Sequence, residues 1–212
     1  MLLPLPKSAT VACYVVRHGQ TVLNKDKCFR GNSNPPLDST GLKQAHEIAD
    51  LLEPLDVSSI FCSDKQRATK TADIIAEKKN LPIHTSESLR ALNVGDFSGQ
   101  KRTPESESCL QSYLDDPQTQ IPGGESLAEF KSRIHPCLQD AIELFCECGC
   151  PPVLVAHSSV VHEIGSILYG DHKSILVEPG GAVAVYFDGS KLAAKPIYKP
   201  LKSSGSHAET IT

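Results

Sequence analysis

Arg17-His18-Gly19-Gln20-Thr21, followed by Asn24 and then Arg30-Gly31, groups residue types that suit phosphoryl chemistry. A neutral imidazole can attack and form a covalent intermediate. The planar fork of an arginine matches phosphate oxygens, and a glycine lets backbone approach a ligand closely. A second group, Ser63-Asp64-Lys65-Gln66-Arg67-Ala68-Thr69-Lys70-Thr71-Ala72, puts Arg67 where an apolar strand gives way to helical spacing. A helix N-terminus there also favours an anion. His157-Ser158 closes a third apolar run. Two cations and two imidazoles brought together make a site for a dianion: His18 attacks phosphorus, while Arg17, Arg67 and a protonated His157 hold the charge on the oxygens.

These residues need elements that bring them to one point. Thr10 to Val16 is a β-branched apolar run that reads as a buried strand, as do Ser59 to Cys62 and Val153 to Ala156. Helical spacing covers Thr40 to Leu52, Arg67 to Lys79, Leu127 to Phe145 (with a kink expected at Pro136) and Val160 to Tyr169. Ala182 to Phe187 and Leu192 to Tyr198 flank an Asp188-Gly189 turn as two further strands. The alternation predicts an α/β three-layer sandwich, a mostly parallel central sheet flanked by helices. In such sheets ligands sit beyond the carboxyl ends of the strands. His18 and His157 follow two of those ends, so both point at one crevice. Residues 1–200 are expected to form a single domain with a cap at about 81–122, and 201–212 a disordered tail.

Composition narrows the function classes. The chain has 212 residues, 40% hydrophobic and 22% charged, an ordinary globular balance. Lys and Arg total 21 against 25 Asp and Glu, a net charge of −4, so no basic excess marks a nucleic-acid partner. No apolar run reaches the ~18 residues of a membrane span. The short apolar start, broken by Pro4 and Pro6, does not read as a signal peptide. Eight cysteines without other signs of secretion suggest reduced thiols and a cytoplasmic protein. Cys146, Cys148 and Cys150 lack the second ligand pair usual at zinc sites, and read as a helix end stopped by Gly149 and Pro151-Pro152. No heptad or leftover apolar stripe indicates an oligomeric state.

The chain resembles the histidine phosphatase superfamily, branch 1, which includes phosphoglycerate mutase-like and fructose-2,6-bisphosphatase-like enzymes. The matching segments are RHGQTVLN at 17–24, FRGNSNPPLDSTGLKQA at 29–45, SDKQRATKTA at 63–72, LRALNVGDFSG at 89–99, PGGESL at 122–127 and VAHSS at 155–159. They run in the family's order from about residue 10 to 190. The resemblance implies a phosphoglycerate mutase-like fold and phosphomonoester hydrolysis through a phosphohistidine on His18, without metal or cofactor. By it, Arg17, Arg67 and His157 hold the phosphoryl group, and Asn24, Arg30 and Gly31 line the pocket around a small phosphorylated substrate. A phosphoglycerate mutase-type phosphotransfer is the enzymatic alternative, although the longer insertions of the family's mutases are missing here.

Two positions depart from the family. Asn34 stands where Asp often precedes Pro-Leu, a change expected to stay within the turn. In Leu89-Arg90-Ala91-Leu92-Asn93-Val94-Gly95 the family's leaving-group acid, a Glu, is replaced by Ala91. Such an acid is typically worth ~10²–10⁴ in rate. Three carboxylates are candidates to stand in: Asp96, Glu105 and Glu125, the last in a Gly-Gly-Glu-Ser loop assigned to the pocket. Otherwise the substrate needs no acid, or the protein binds phosphorylated ligands without turning them over.

Overall fold

The computed structural model describes residues 2–200; the tail expected at 201–212 lies outside the described residues. Six strands form one sheet in the order β3-β2-β4-β1-β5-β6. These are β1 (Ala9–Arg17), β2 (Ile60–Ser63), β3 (Ile83–Ser86), β4 (Val153–Ala156), β5 (Ala182–Asp188) and β6 (Lys191–Tyr198). β1, β4, β2 and β3 run parallel, and the β5–β6 hairpin adds two antiparallel strands beside β1. The central strands are apolar because helices cover both of their faces.

One face packs against α2 (Ser39–Leu52) and α3 (Gln66–Lys79), where Ile48, Leu52, Ile60, Ile75 and Val155 share a core. The other face packs against α5 (Leu127–Cys148) and α6 (Ser158–Tyr169) around Val15, Leu138, Val161 and Ile164. This is the three-layer α/β arrangement read from the alternation. Local chemistry sets the helix ends. Asp38 Oδ1 accepts from the Gly41 amide at 2.8 Å to start α2. Ser126 and Glu129 exchange bonds in a capping box at the start of α5. α5 continues through Pro136 and stops at Gly149, whose φ of 70° suits glycine.

Residues 81–122, read from sequence as one region, divide in the structure. They begin as the edge strand β3, pass through 3₁₀ turns at Glu87–Leu89 and Gly95–Phe97, and form α4 (Pro104–Leu114). The short helix α1 (Val22–Lys25) also escaped the periodicity, being a single turn. A third apolar cluster unites Phe29, Leu92, Val94, Leu110 and Ile121 with Phe130, Ile134, Ala156 and Val160. It seats the segment 89–121 on the α5 and α6 helices just past the end of β4.

Register decides what meets at the strand ends. Arg17 pairs with Ala156, and Cys62 with Val155. His18 and His157 therefore leave adjacent parallel strands at the same level, and the chain after β2 starts α3 beside them.

Candidate active site

His18 and His157 lie with ring centroids 5.1 Å apart and planes at 64°. Both are almost wholly buried, at 1% and 2% exposure, and Arg67 is fully enclosed. Two backbone devices hold His18. Its main-chain amide donates to Ala156 O at 3.0 Å, carrying the β1–β4 ladder one residue further. Its ring Nδ1 lies 2.7 Å from its neighbour Gly19 O, which cannot donate, so Nδ1 carries the proton and Nε2 the lone pair. Gly19 itself is required. A Cβ there would sit 2.3 Å from Gly41 O, because the chain leaving β1 passes directly over the start of α2.

Arg67 projects from the first turn of α3. Its Nε donates to His18 Nε2 at 3.2 Å, Nη1 to Ser33 O at 2.7 Å and Nη2 to Gly31 O at 3.4 Å. Arg17 is buried as the last residue of β1, with Nη1 donating to Val177 O at 2.6 Å. Neither ring nitrogen of His157 has a hydrogen-bond partner among the described residues. A buried donor and acceptor left unpaired cost free energy, which a ligand can recover. α6 starts at the next residue, so its positive end also faces this place.

The electrostatics favour neutral imidazoles. Burial, then Arg67, His157 and Arg17, push the His18 pKa well below its usual value, against a small opposing effect of the Gly19 carbonyl. Burial and the guanidiniums of Arg67, Arg30, Arg133 and Arg17 do the same to His157. The protonated His157 expected at a phosphoryl group therefore has to be favoured by the charge of the group it holds, against the surrounding arginines. Burial also lowers the Arg67 pKa, to about 10, which leaves it charged at neutral pH.

The structure brings Arg17, His18, Arg67 and His157 together, with Arg30 and Gly31 in contact with this group. Asn24 is buried in the capping box of α1, its Oδ1 accepting from Thr21 N at 3.0 Å and Thr21 Oγ1 at 2.9 Å, while its Nδ2 has no partner among the described residues. Arg30 Nη2 reaches Ser158 Oγ at 3.4 Å, next to His157. Gly31 has φ of +46° and its carbonyl holds Arg67; a Cβ there would meet Ser98 Oγ at 2.5 Å. Asn34 is structural but does not stay within its own turn as expected: its Oδ1 accepts from Gln66 N at 2.8 Å, at the start of α3, the helix that carries Arg67.

Glu125 lies beside the pocket, held by Arg133, one of the guanidiniums that act on His157. With Ala91, Asn32, Asn93, Arg90 and Arg133 it lines a cleft of about 360 Å³. Its Oε1 accepts from Asn93 N at 2.7 Å and Arg133 Nη2 at 2.6 Å, and its Oε2 from Arg133 Nε at 3.0 Å. Arg133 also donates to the carbonyls of Ser88, Arg90 and Ala91 at 2.9, 2.7 and 2.8 Å. One guanidinium thus fixes both Glu125 and the segment that carries Ala91. Sequence reading missed Arg133; its spacing of eight residues from Glu125, about two helical turns, was the available signal. Asp96 and Glu105, the other expected stand-ins, are exposed, Glu105 in the first turn of α4.

Residues 13–176 match the sequence profile of the Histidine phosphatase superfamily (branch 1). The chain is 34% identical over 161 residues to "Probable phosphoglycerate mutase" of Yersinia pestis (strain Pestoides F), covering 74% of each protein. Among solved structures it resembles a phosphoglycerate mutase from Thermus thermophilus, with TM-score 0.67, 28% identity, and 89% of this chain and 99% of that one covered. A mycobacterial glucosyl-3-phosphoglycerate phosphatase, solved with VO₃, shares the fold at TM-score 0.72 and 22% identity, over 88% of this chain and 98% of that one. Among the described residues no helix is long and apolar enough to cross a membrane.

Proposed function

The chain belongs to the histidine phosphatase superfamily, branch 1, and from that premise we propose that it hydrolyses phosphomonoesters through a phosphohistidine on His18. The observation that carries this reading is the protonation geometry of His18. Nδ1–H is committed to Gly19 O, and the lone pair on Nε2 faces Arg67 within a buried cationic pocket. In the first step the Nε2 pair attacks phosphorus and the bond to the leaving oxygen breaks. Arg67 Nε–H, now on Nε2, moves to a phosphoryl oxygen; Arg17 and the unpaired ring nitrogens of His157 take the others. A bound dianion offsets the four guanidiniums around His157 and favours its protonation. Water then attacks the phosphohistidine, the P–N bond breaks, and its electron pair returns to Nε2. Asn24, Arg30 and Gly31 shape the pocket wall.

The experiment is to trap the phosphoenzyme. A rapid quench with labelled acetyl phosphate is expected to leave acid-labile, alkali-stable phosphate on the wild type and none on His18→Ala. A wild type that takes up no label while it binds inorganic phosphate would instead be a receptor for phosphorylated ligands, the reading Ala91 favours. The name of the Yersinia relative favours a mutase. That reading requires the phosphoenzyme to outlive solvent attack and to pass its group to a phosphoglycerate; release of inorganic phosphate at the rate of label loss rejects it.

A further inference from the structure

We infer that the pocket serves phosphates whose leaving group departs without a proton, namely acyl, enol or aryl phosphates, and not alkyl esters. The inference rests on the phosphohistidine reading above and concerns the other half of the same displacement. Breaking the P–O bond of an alkyl ester produces a strongly basic alkoxide, which needs a proton donor in the transition state. At position 91 the cleft wall offers only a methyl group.

The neighbouring carboxylates are committed elsewhere. Glu125 accepts through both oxygens, from Arg133 and Asn93 N, and must break those contacts to present a proton. Asp64 is gripped by Arg90 through both oxygens, Oδ1 at 2.8 Å, and the same guanidinium meets Glu87 at 2.9 Å. The Arg90 contact holds the Asp64 carboxyl below the usual carboxylate range, the deprotonated form that an acid cannot use. Asp96 and Glu105 are exposed, and the amide and Thr103 hydroxyl bonds at the start of α4 lower the Glu105 carboxyl too. His157 packs its ring 5.1 Å from that of His18, and in the reading above its ring nitrogens are taken up by the phosphoryl oxygens. Each of these carboxylates is thus engaged by a cation or a backbone amide, or exposed to solvent.

The chemistry balances without an acid. His18 Nε2 gives its pair to phosphorus, and the P–O pair leaves on the departing oxygen as a carboxylate, enolate or phenolate. Water then releases phosphate from His18 and its surplus proton goes to solvent, or to the departed anion there.

The test is the dependence of rate on leaving-group acidity, measured with the full-length protein. The probes are acetyl phosphate, a graded series of aryl phosphates, and glycerol 3-phosphate as the alkyl ester. The wild type is expected to show a steep dependence, with glycerol 3-phosphate at least ~10²-fold below the least acidic aryl ester. Ala91→Glu is expected to flatten the dependence by raising the alkyl rate, and Ala91→Gln to leave it steep. A shallow dependence in the wild type, with His18→Ala inactive on every probe, overturns the inference and leaves the phosphohistidine reading standing. The wild-type slope decides this even where Ala91→Glu does not fold. Absence of label on wild-type His18 overturns both, and is read from the trapped enzyme rather than from the slope.

Discussion

The pocket at His18 and the cleft at Ala91 use the same residue types in opposite ways. In the pocket the structure keeps polar capacity open: both ring nitrogens of His157 are buried without partners among the described residues. In the cleft the charges are paired with one another, Arg133 with Glu125 and three carbonyls, Arg90 with Asp64 and Glu87. Buried groups left unpaired are costly, so they persist where a ligand completes them. Groups that satisfy each other give a rigid wall with little left to contribute to chemistry. The contrast separates a region built to hold charge from one built to hold a loop.

The largest expected effect lies in the pocket. Arg67→Ala removes a donor aimed at the position of a phosphoryl oxygen and is expected to lower kcat/KM by about 10²–10³-fold. Arg67→Lys should recover little of it, since a lysine cannot serve His18, Gly31 and Ser33 together. Steady-state kinetics on an aryl phosphate checks both, and a loss below tenfold would erase the distinction drawn between the two regions.

The cleft should respond chiefly in stability. Arg133→Met strands Glu125 and three carbonyls, with an expected loss of about 2–3 kcal/mol read from the urea midpoint. Its activity loss should remain smaller than that of Arg67→Ala. A variant of normal stability and no activity would move Arg133 into the reacting pocket.

The pH dependence sharpens the same contrast. His18 and His157 have pKa values lowered by folding, so below about 6.5 the unfolded chain binds protons that the native one does not. Stability is then complete above the unfolded value. It falls with decreasing pH, by up to about 1.4 kcal/mol per pH unit for each histidine, until the lowered native pKa is reached. Thermal unfolding from pH 8 to 5 should show this slope, reduced in His157→Asn and reduced by saturating phosphate, which favours the protonated ring in the native state. A slope that neither change affects would assign the acid sensitivity to groups outside the pocket.

The smallest effect is expected at Arg90 and Asp64, which are 27% and 30% exposed. Asp64→Asn should cost no more than about 1 kcal/mol, and its kcat on an aryl phosphate should stay within a few-fold of wild type. A large drop in kcat would show that the cleft wall controls the chemical step.

The legible parts of this molecule were those governed by local rules. β4 was read with its observed bounds, and α2 and α3 within one residue at each end, because periodic apolar faces record burial directly. Residues 81–122 have no such period. The edge strand β3 is ordered by pairing with β2, and the segment beyond it by one arginine on a distant helix and by the apolar cluster around Leu110 and Ile121.

His18, Arg67 and His157 could be picked out by type, by neighbours and by their place after apolar runs. Their grouping depends on β4 lying between β1 and β2, which puts residues 18, 67 and 157 on one rim. Their protonation is a tertiary result as well. The chain records two histidines with ordinary intrinsic pKa values, and only burial beside the guanidiniums lowers both. Likewise the amino-acid sequence alone recorded that Ala91 lacks a carboxylate. That Glu125 is bound to Arg133, and so does not simply replace it, was decided in space, because hydrogen-bond capacity is divided among neighbours that the sequence order does not reveal.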